Sequence, residues 1–211
     1  MTTADERMLE ALSRALNFEE DGVAYYSQAM LASSSNLALD VLRTLRDEEV
    51  KHKEQILAIF NEVKAGGSWK GEDEPGSPMP DFVSVFEQLG GNPPKEVSEG
   101  EIAALQHALE VEVKGRGMYE ELASNAPTEP EKAFYEKLGG EEIEHIKMIE
   151  DAIEYFDDPE GWFQKRAIRV RSSSICTRLM RACGGISKAR NSTSPRRPVA
   201  ESGEYSLSMQ N

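Results

Sequence analysis

The sequence repeats itself. At an offset of 93 residues, Ala11, Leu12, Ala15 and Leu16 match Ala104, Leu105, Ala108 and Leu109. Glu19, Gly22 and Tyr26 match Glu112, Gly115 and Tyr119 in the same register, and Leu45, Glu48, Glu49, His52 and Ile56 match Leu138, Glu141, Glu142, His145 and Ile149. Twelve identities at one offset, without a gap, exceed what a shared helical composition supplies and indicate a duplicated unit.

Within each unit, apolar residues recur every three or four positions, the spacing of an amphipathic helix. The pattern predicts four helices, from about Asp5 to Ala32, Asn36 to Ala65, Glu99 to Ser124 and Glu129 to Phe156. Capping-box pairs stand at three starts, Thr3 with Glu6, Ser98 with Glu101 and Thr128 with Glu131, and Gly66 and Gly67 are stop signals for the second helix. Each helix is about 40 Å long at 1.5 Å per residue. Short links make helices one and two, and three and four, antiparallel hairpins. The Gly- and Pro-rich stretch 66–97 is long enough to cross from one end of a bundle to the other, with a short helix expected over Asp81 to Leu89. The expected fold is all-α: a four-helix bundle of the ferritin-like kind, two hairpins joined by one long crossover.

Charge divides the chain at residue 164. Residues 1–164 carry 14 Lys/Arg against 36 Asp/Glu, and residues 165–211 carry 10 against 2. So acidic a body repels nucleic acid and anionic membrane, which leaves only the tail able to bind either. The expected domains are therefore 1–163, the bundle, and 164–211, a basic Ser- and Arg-rich tail. A short basic helix is expected over Trp162 to Met180, and composition beyond it reads as disorder. No run of eighteen apolar residues predicts a transmembrane helix, and the first residues lack a signal-peptide pattern. With two cysteines, no disulfide framework is expected, and the cytoplasm is the expected location.

The chemistry lies where the apolar stripes break. Helix one places Leu12, Ala15, Glu19, Gly22 and Tyr26 inward, and helix three places Leu105, Ala108, Glu112, Gly115 and Tyr119 inward. Helix two gives Leu42, Leu45, Glu49, His52 and Ile56, and helix four gives Leu138, Glu142, His145 and Ile149. An unpaired ionised carboxylate in a core costs several kcal/mol, and four facing one another cost far more. Two divalent cations resolve this, because their charge cancels that of four carboxylates. Positions i and i+3 on a helix reach a common point, so each Glu-x-x-His pair suits one ion. One Glu from each of two helices with Glu-x-x-His from the other two is a known dinuclear arrangement.

At these residues the chain resembles the rubrerythrin branch of the ferritin-like superfamily. The matching pieces are EEDGVAYY (19–26), DEEVKHKE (47–54), EVKGRGMYEEL (112–122) and EEIEHIKMIED (141–151), and the likeness runs over about 1–163, including DDPEGWF. It implies a site for two iron ions working in oxygen or peroxide chemistry, with Glu19, Glu49, His52, Glu112, Glu142 and His145 as ligands. Two features depart from that family. No Cys-x-x-Cys pair is present to build a rubredoxin-type centre, and Cys176 and Cys183 stand seven apart in a basic segment. The expected electron source is thus a separate donor protein, and the expected oxidant is H2O2 or O2. The additional ligand Glu one turn after the helix-three Glu is replaced by Gly115, mirrored by Gly22. These glycines are expected to leave space beside the metals.

Other readings stay open on sequence. Manganese accepts the same ligands as iron, which allows catalase-like peroxide disproportionation; ferritin-like iron oxidation for storage and a metal-free helical scaffold are further alternatives. A homodimer is compatible with the chain. Tyr26 and Tyr119 either hydrogen-bond to ligand carboxylates or pack as core aromatics. Glu48 and Glu141, beside ligands but about 100° round the helix, are expected in exposed salt bridges, and Glu20 likewise. His107 is expected at the surface, and Trp69 and Trp162 as covers over the bundle ends.

Overall fold

The computed structural model describes residues 3–67, 69, 78–89 and 98–169. Among them are six helices and no strand: α1 Thr3–Ala32, α2 Asn36–Lys64, α3 Phe82–Gln88, α4 Glu99–Asn125, α5 Glu129–Asp157 and α6 Pro159–Arg169. The fold is all-α, and among the described residues no helix is long and apolar enough to cross a membrane.

Local chemistry sets the helix ends. Ser35 caps α2 by accepting from the Ala38 amide, a cap the sequence reading did not anticipate, and Asp81 caps α3 through Ser84. Ser98 and Glu101 form the full reciprocal box at the start of α4. At α5 only half of the expected box is present: Thr128 accepts from Glu131, and Pro130 occupies the first turn, where its missing N–H costs nothing. The side chain of Thr3 lies outside the described residues. Gly66 ends α2 with φ +83°, a conformation that a Cβ disfavours. Helix α6 begins at Pro159 rather than Trp162, and its expected continuation past Arg169, like the rest of the tail, lies outside the described residues.

The apolar side chains gather into two clusters. One joins the second half of α1 (Tyr26, Ala29) to the first half of α2 (Leu37, Val41, Leu42, Leu45), the start of α4 (Leu105, Ala108) and the end of α5 (Ile149, Ala152, Tyr155). The other joins the start of α1 (Leu9, Leu12, Ala15) to the end of α2 (Ile56, Ile59, Val63), the end of α4 (Tyr119, Leu122) and the start of α5 (Phe134, Tyr135, Leu138). That pairing of halves makes α1 antiparallel to α2 and α4 antiparallel to α5. Helix α1 also packs on α4, and α2 on α5. Phe82 and Phe86 of α3 close one end against Tyr155, Trp162 and Phe163, so Trp162 is a buried cover as expected. Trp69 packs edge-on against Phe134 at the other end. Each fully buried large side chain of this kind contributes about 1.5–3 kcal/mol, and between the two clusters lies a layer of buried polar side chains.

Candidate metal centre

That layer holds Glu19 from α1, Glu49 and His52 from α2, Glu112 from α4, and Glu142 and His145 from α5. None is more than 3% exposed. All six residues named from sequence as ligands are brought together. Nδ1 of His52 lies 3.3 Å from Glu49 and 3.7 Å from Glu19. Nδ1 of His145 lies 3.2 Å from Glu112, 3.3 Å from Glu49 and 3.4 Å from Glu142. The two imidazoles stack with centroids 5.4 Å apart.

The side chains form two overlapping sets, each with ligand atoms within 4.8 Å of one another: Glu19, Glu49, His52 and Glu142, and Glu49, Glu112, Glu142 and His145. Glu49 and Glu142 belong to both. Each set could hold a metal ion. Oε2 of Glu19 and both oxygens of Glu142 are shielded from solvent and have no hydrogen-bond partner. Orphaned carboxylate oxygens at the centre of a core are acceptors that protein donors leave unused, as a cation site requires.

Glu101 shows the alternative way to bury a carboxylate. It is 3% exposed, yet it accepts from the amides of Ser34 (2.8 Å), Ser35 (2.7 Å) and Ser98 (2.9 Å). Burial pushes its pKa up, but those amides outweigh burial and hold it below the ordinary range. Among the described residues, no backbone amide donates to the central carboxylates. Burial, reinforced by the charge of Glu49, pushes Glu19 up to about 8, and burial with the adjacent Glu112 pushes Glu142 well above the carboxylate range. Glu49 moves the other way: burial opposes its charge, but the neighbouring Glu19 carboxyl and the imidazoles of His145 and His52 hold it well below. Burial also opposes protonation of the histidines, and the carboxylates around them overcome it, so both lie well above the usual imidazole value. The raised values at Glu19, Glu142 and both histidines mark a deficit of positive charge in the layer, which bound cations would fill.

The tyrosines resolve in favour of the site. The hydroxyl of Tyr26 donates to Glu112, and that of Tyr119 to Glu19. Each phenol thus serves the carboxylate of the other hairpin, not the one two turns away on its own helix. Burial first, and the facing carboxylates second, raise both phenols well above their usual value, which keeps them donors. Comparison with family models, with curated proteins and with solved structures gives no match. The site is therefore argued from its own chemistry.

Three sequence expectations change. At Gly115, glycine does not leave open space beside the carboxylates: a Cβ there would stand 2.7 Å from the Phe18 ring and 3.3 Å from Glu142, whereas one at Gly22 would make ordinary contact with Glu49 at 3.4 Å. Glu141 is not in an exposed salt bridge: it is half-buried, with Oε2 at 3.2 Å from Nε2 of His52. Its equivalent, Glu48, does pair with Lys51 at 2.7 Å, but it is buried rather than exposed. The signal for both was present in the repeat, which keeps Glu at 48 and 141. Glu141 reaches across to His52 on α2, a contact that the position's angle on its own helix does not report. Glu20 does form a surface pair, with Lys53 at 3.1 Å, and His107 is exposed, as expected.

Proposed function

We propose that the chain is a rubrerythrin-like member of the ferritin-like four-helix bundles, built from two duplicated hairpins, that binds two iron ions and performs redox chemistry with peroxide or O2. The observation that carries the reading is the pair of overlapping ligand sets that share Glu49 and Glu142. A single ion would leave two of the four carboxylates without a counter-charge, whereas two divalent ions neutralise all four. The donor set, carboxylate oxygen with imidazole nitrogen, suits iron and equally accepts manganese. When bound, two adjacent ferrous ions supply two electrons together, each changing by one unit.

The chain's own residues do the rest. Glu49 and Glu142, common to both sets, would help to hold both ions, and Glu19 with His52 and Glu112 with His145 would complete one set each. Tyr26 and Tyr119 hold the end carboxylates in orientation by donating to Glu112 and Glu19. The apolar clusters on either side exclude bulk water, which strengthens every charge interaction in the layer. In the absence of a Cys-rich electron-transfer centre in this chain, the reducing equivalents come from a separate donor.

Metal analysis of the purified protein, with an absorption spectrum after exposure to air, tests the reading. About two irons per chain and a ferric-carboxylate absorption are expected, with peroxide consumed faster when an electron donor is supplied. Two manganese ions with donor-independent peroxide loss would turn the reading to a catalase-like enzyme. A large shell on size exclusion would turn it to iron storage. Protein that takes up neither metal would be a scaffold.

A further inference from the structure

The twofold repeat breaks on the outer side of the histidines. Nε2 of His52, the nitrogen turned away from the central carboxylates, lies 3.2 Å from Oε2 of Glu141 on the facing helix α5. Nε2 of His145 has no ion-pair partner among the described residues. The residue that the repeat places there, Glu48, is instead engaged by Lys51 on its own helix at 2.7 Å. A second difference stands one turn earlier on α5. Lys137 precedes Glu141 by four residues, its Nζ is shielded from solvent without a hydrogen-bond partner, and its charge acts on Glu141. The equivalent residue in α2 is Thr44, whose hydroxyl donates to the Asp40 carbonyl at 2.8 Å.

An imidazole offers a metal one lone pair, and the partner of its other nitrogen decides which one. A carboxylate at Nε2 keeps the proton there, presents the Nδ1 lone pair to the central carboxylates and makes that nitrogen a better donor. Glu141 Oε2 is within ion-pair distance, off the line of an aligned hydrogen bond, and no protein donor competes for it. We propose that Glu141 is a positioning residue for His52 and makes the two halves of the centre unequal. The set Glu19, Glu49, His52 and Glu142 holds its ion more tightly, and the set containing Glu112 and His145 holds the exchangeable one. The inference rests on the two-ion reading above.

Zn2+ is a suitable probe, because it is redox-silent, diamagnetic and accepts both ligand types. Calorimetric titration of the metal-free full chain counts the binding steps, and 15N resonances of the three histidines show which one each step perturbs, with exposed His107 as the internal reference. Two steps are expected, the tighter one moving His52. Glu141→Ala weakens that step by about 10- to 100-fold and leaves the His145 step in place. Glu141→Gln, whose amide oxygen still accepts from Nε2–H, recovers most of the loss and separates orientation from a folding defect. Glu48→Ala changes neither step. Two steps that Glu141→Ala leaves unchanged or weakens equally would overturn the inference alone, as would a tighter step at His145. A wild-type chain that takes up no Zn2+ would overturn the two-ion reading and the inference with it.

Discussion

At the residue scale, the six central side chains were legible because each is the wrong type for its position. A carboxylate on an apolar stripe demands a counter-charge, and the repeat supplies four of them at matching places. The overlap of the two ligand sets then distinguishes residues that sequence could not rank. Glu49 serves both sets, whereas Glu19 serves one. Glu49→Ala is therefore expected to bring metal content from about two ions per chain to near zero, and Glu19→Ala to about one. Metal analysis after anaerobic loading with ferrous iron reads the difference, and equal stoichiometry in the two variants would contradict the shared role of Glu49. The contacts of Glu101 with Ser34 and Ser35, and of Glu141 with His52, were not legible in the sequence for one physical reason. Both glutamates lie off the inward series, and what a side chain on a helix flank meets depends on the neighbouring element, which periodicity does not report.

Elements were read more completely than residues. The four long helices fall within two residues of their expected ends, and the short helix expected over Asp81 to Leu89 is α3, with Asp81 as its cap. What periodicity did not convey was the closeness of the helices. Gly22 and Gly115 read alike in sequence, yet their surroundings differ, because α1 carries Phe18 where the repeat has Val111 in α4. Replacing glycine by alanine inside a helix gains about 1 kcal/mol from the backbone. At Gly22 the added methyl meets only Glu49, at 3.4 Å, and most of that gain survives. At Gly115 it meets the Phe18 ring at 2.7 Å, and overpacking of that kind costs about 1–3 kcal/mol. Thermal melts of the metal-free protein should place Gly115→Ala below Gly22→Ala by about 2–12 °C. Adding Phe18→Ala to Gly115→Ala should return part of the loss, a coupling of about 1 kcal/mol in a double-mutant cycle. Additivity of the two substitutions would mean that Phe18 does not press on Gly115.

For the whole molecule, the layer that divides the two apolar clusters makes stability depend on what neutralises it. Without metal, the folded chain keeps protons on Glu19, whose pKa is raised to about 8, on Glu142, and on both histidines. The unfolded chain gives up its carboxyl protons near pH 4.3 and its imidazole protons near 6.5. Stability from the histidines is thus complete below about pH 6.5 and is lost as pH rises through their higher folded values. The raised carboxyls act in the same direction, since the folded state binds more protons than the unfolded one up to about pH 8. Glu49, held low, loses its contribution only as pH falls through its folded value, outside this window. One extra proton on the folded chain across two pH units is worth about 2.7 kcal/mol, or about 5–10 °C for a domain of this size. With four such groups in the layer, the melting temperature of the metal-free protein should therefore fall by at least that much between pH 6 and pH 8. Bound cations displace these protons, so the loaded protein should show a much flatter profile, and its affinity for metal should rise over the same interval. A metal-free melting temperature that stays level or climbs from pH 6 to 8 would mean that the buried carboxylates are compensated by something other than shared protons, and that metal is not needed to relieve them.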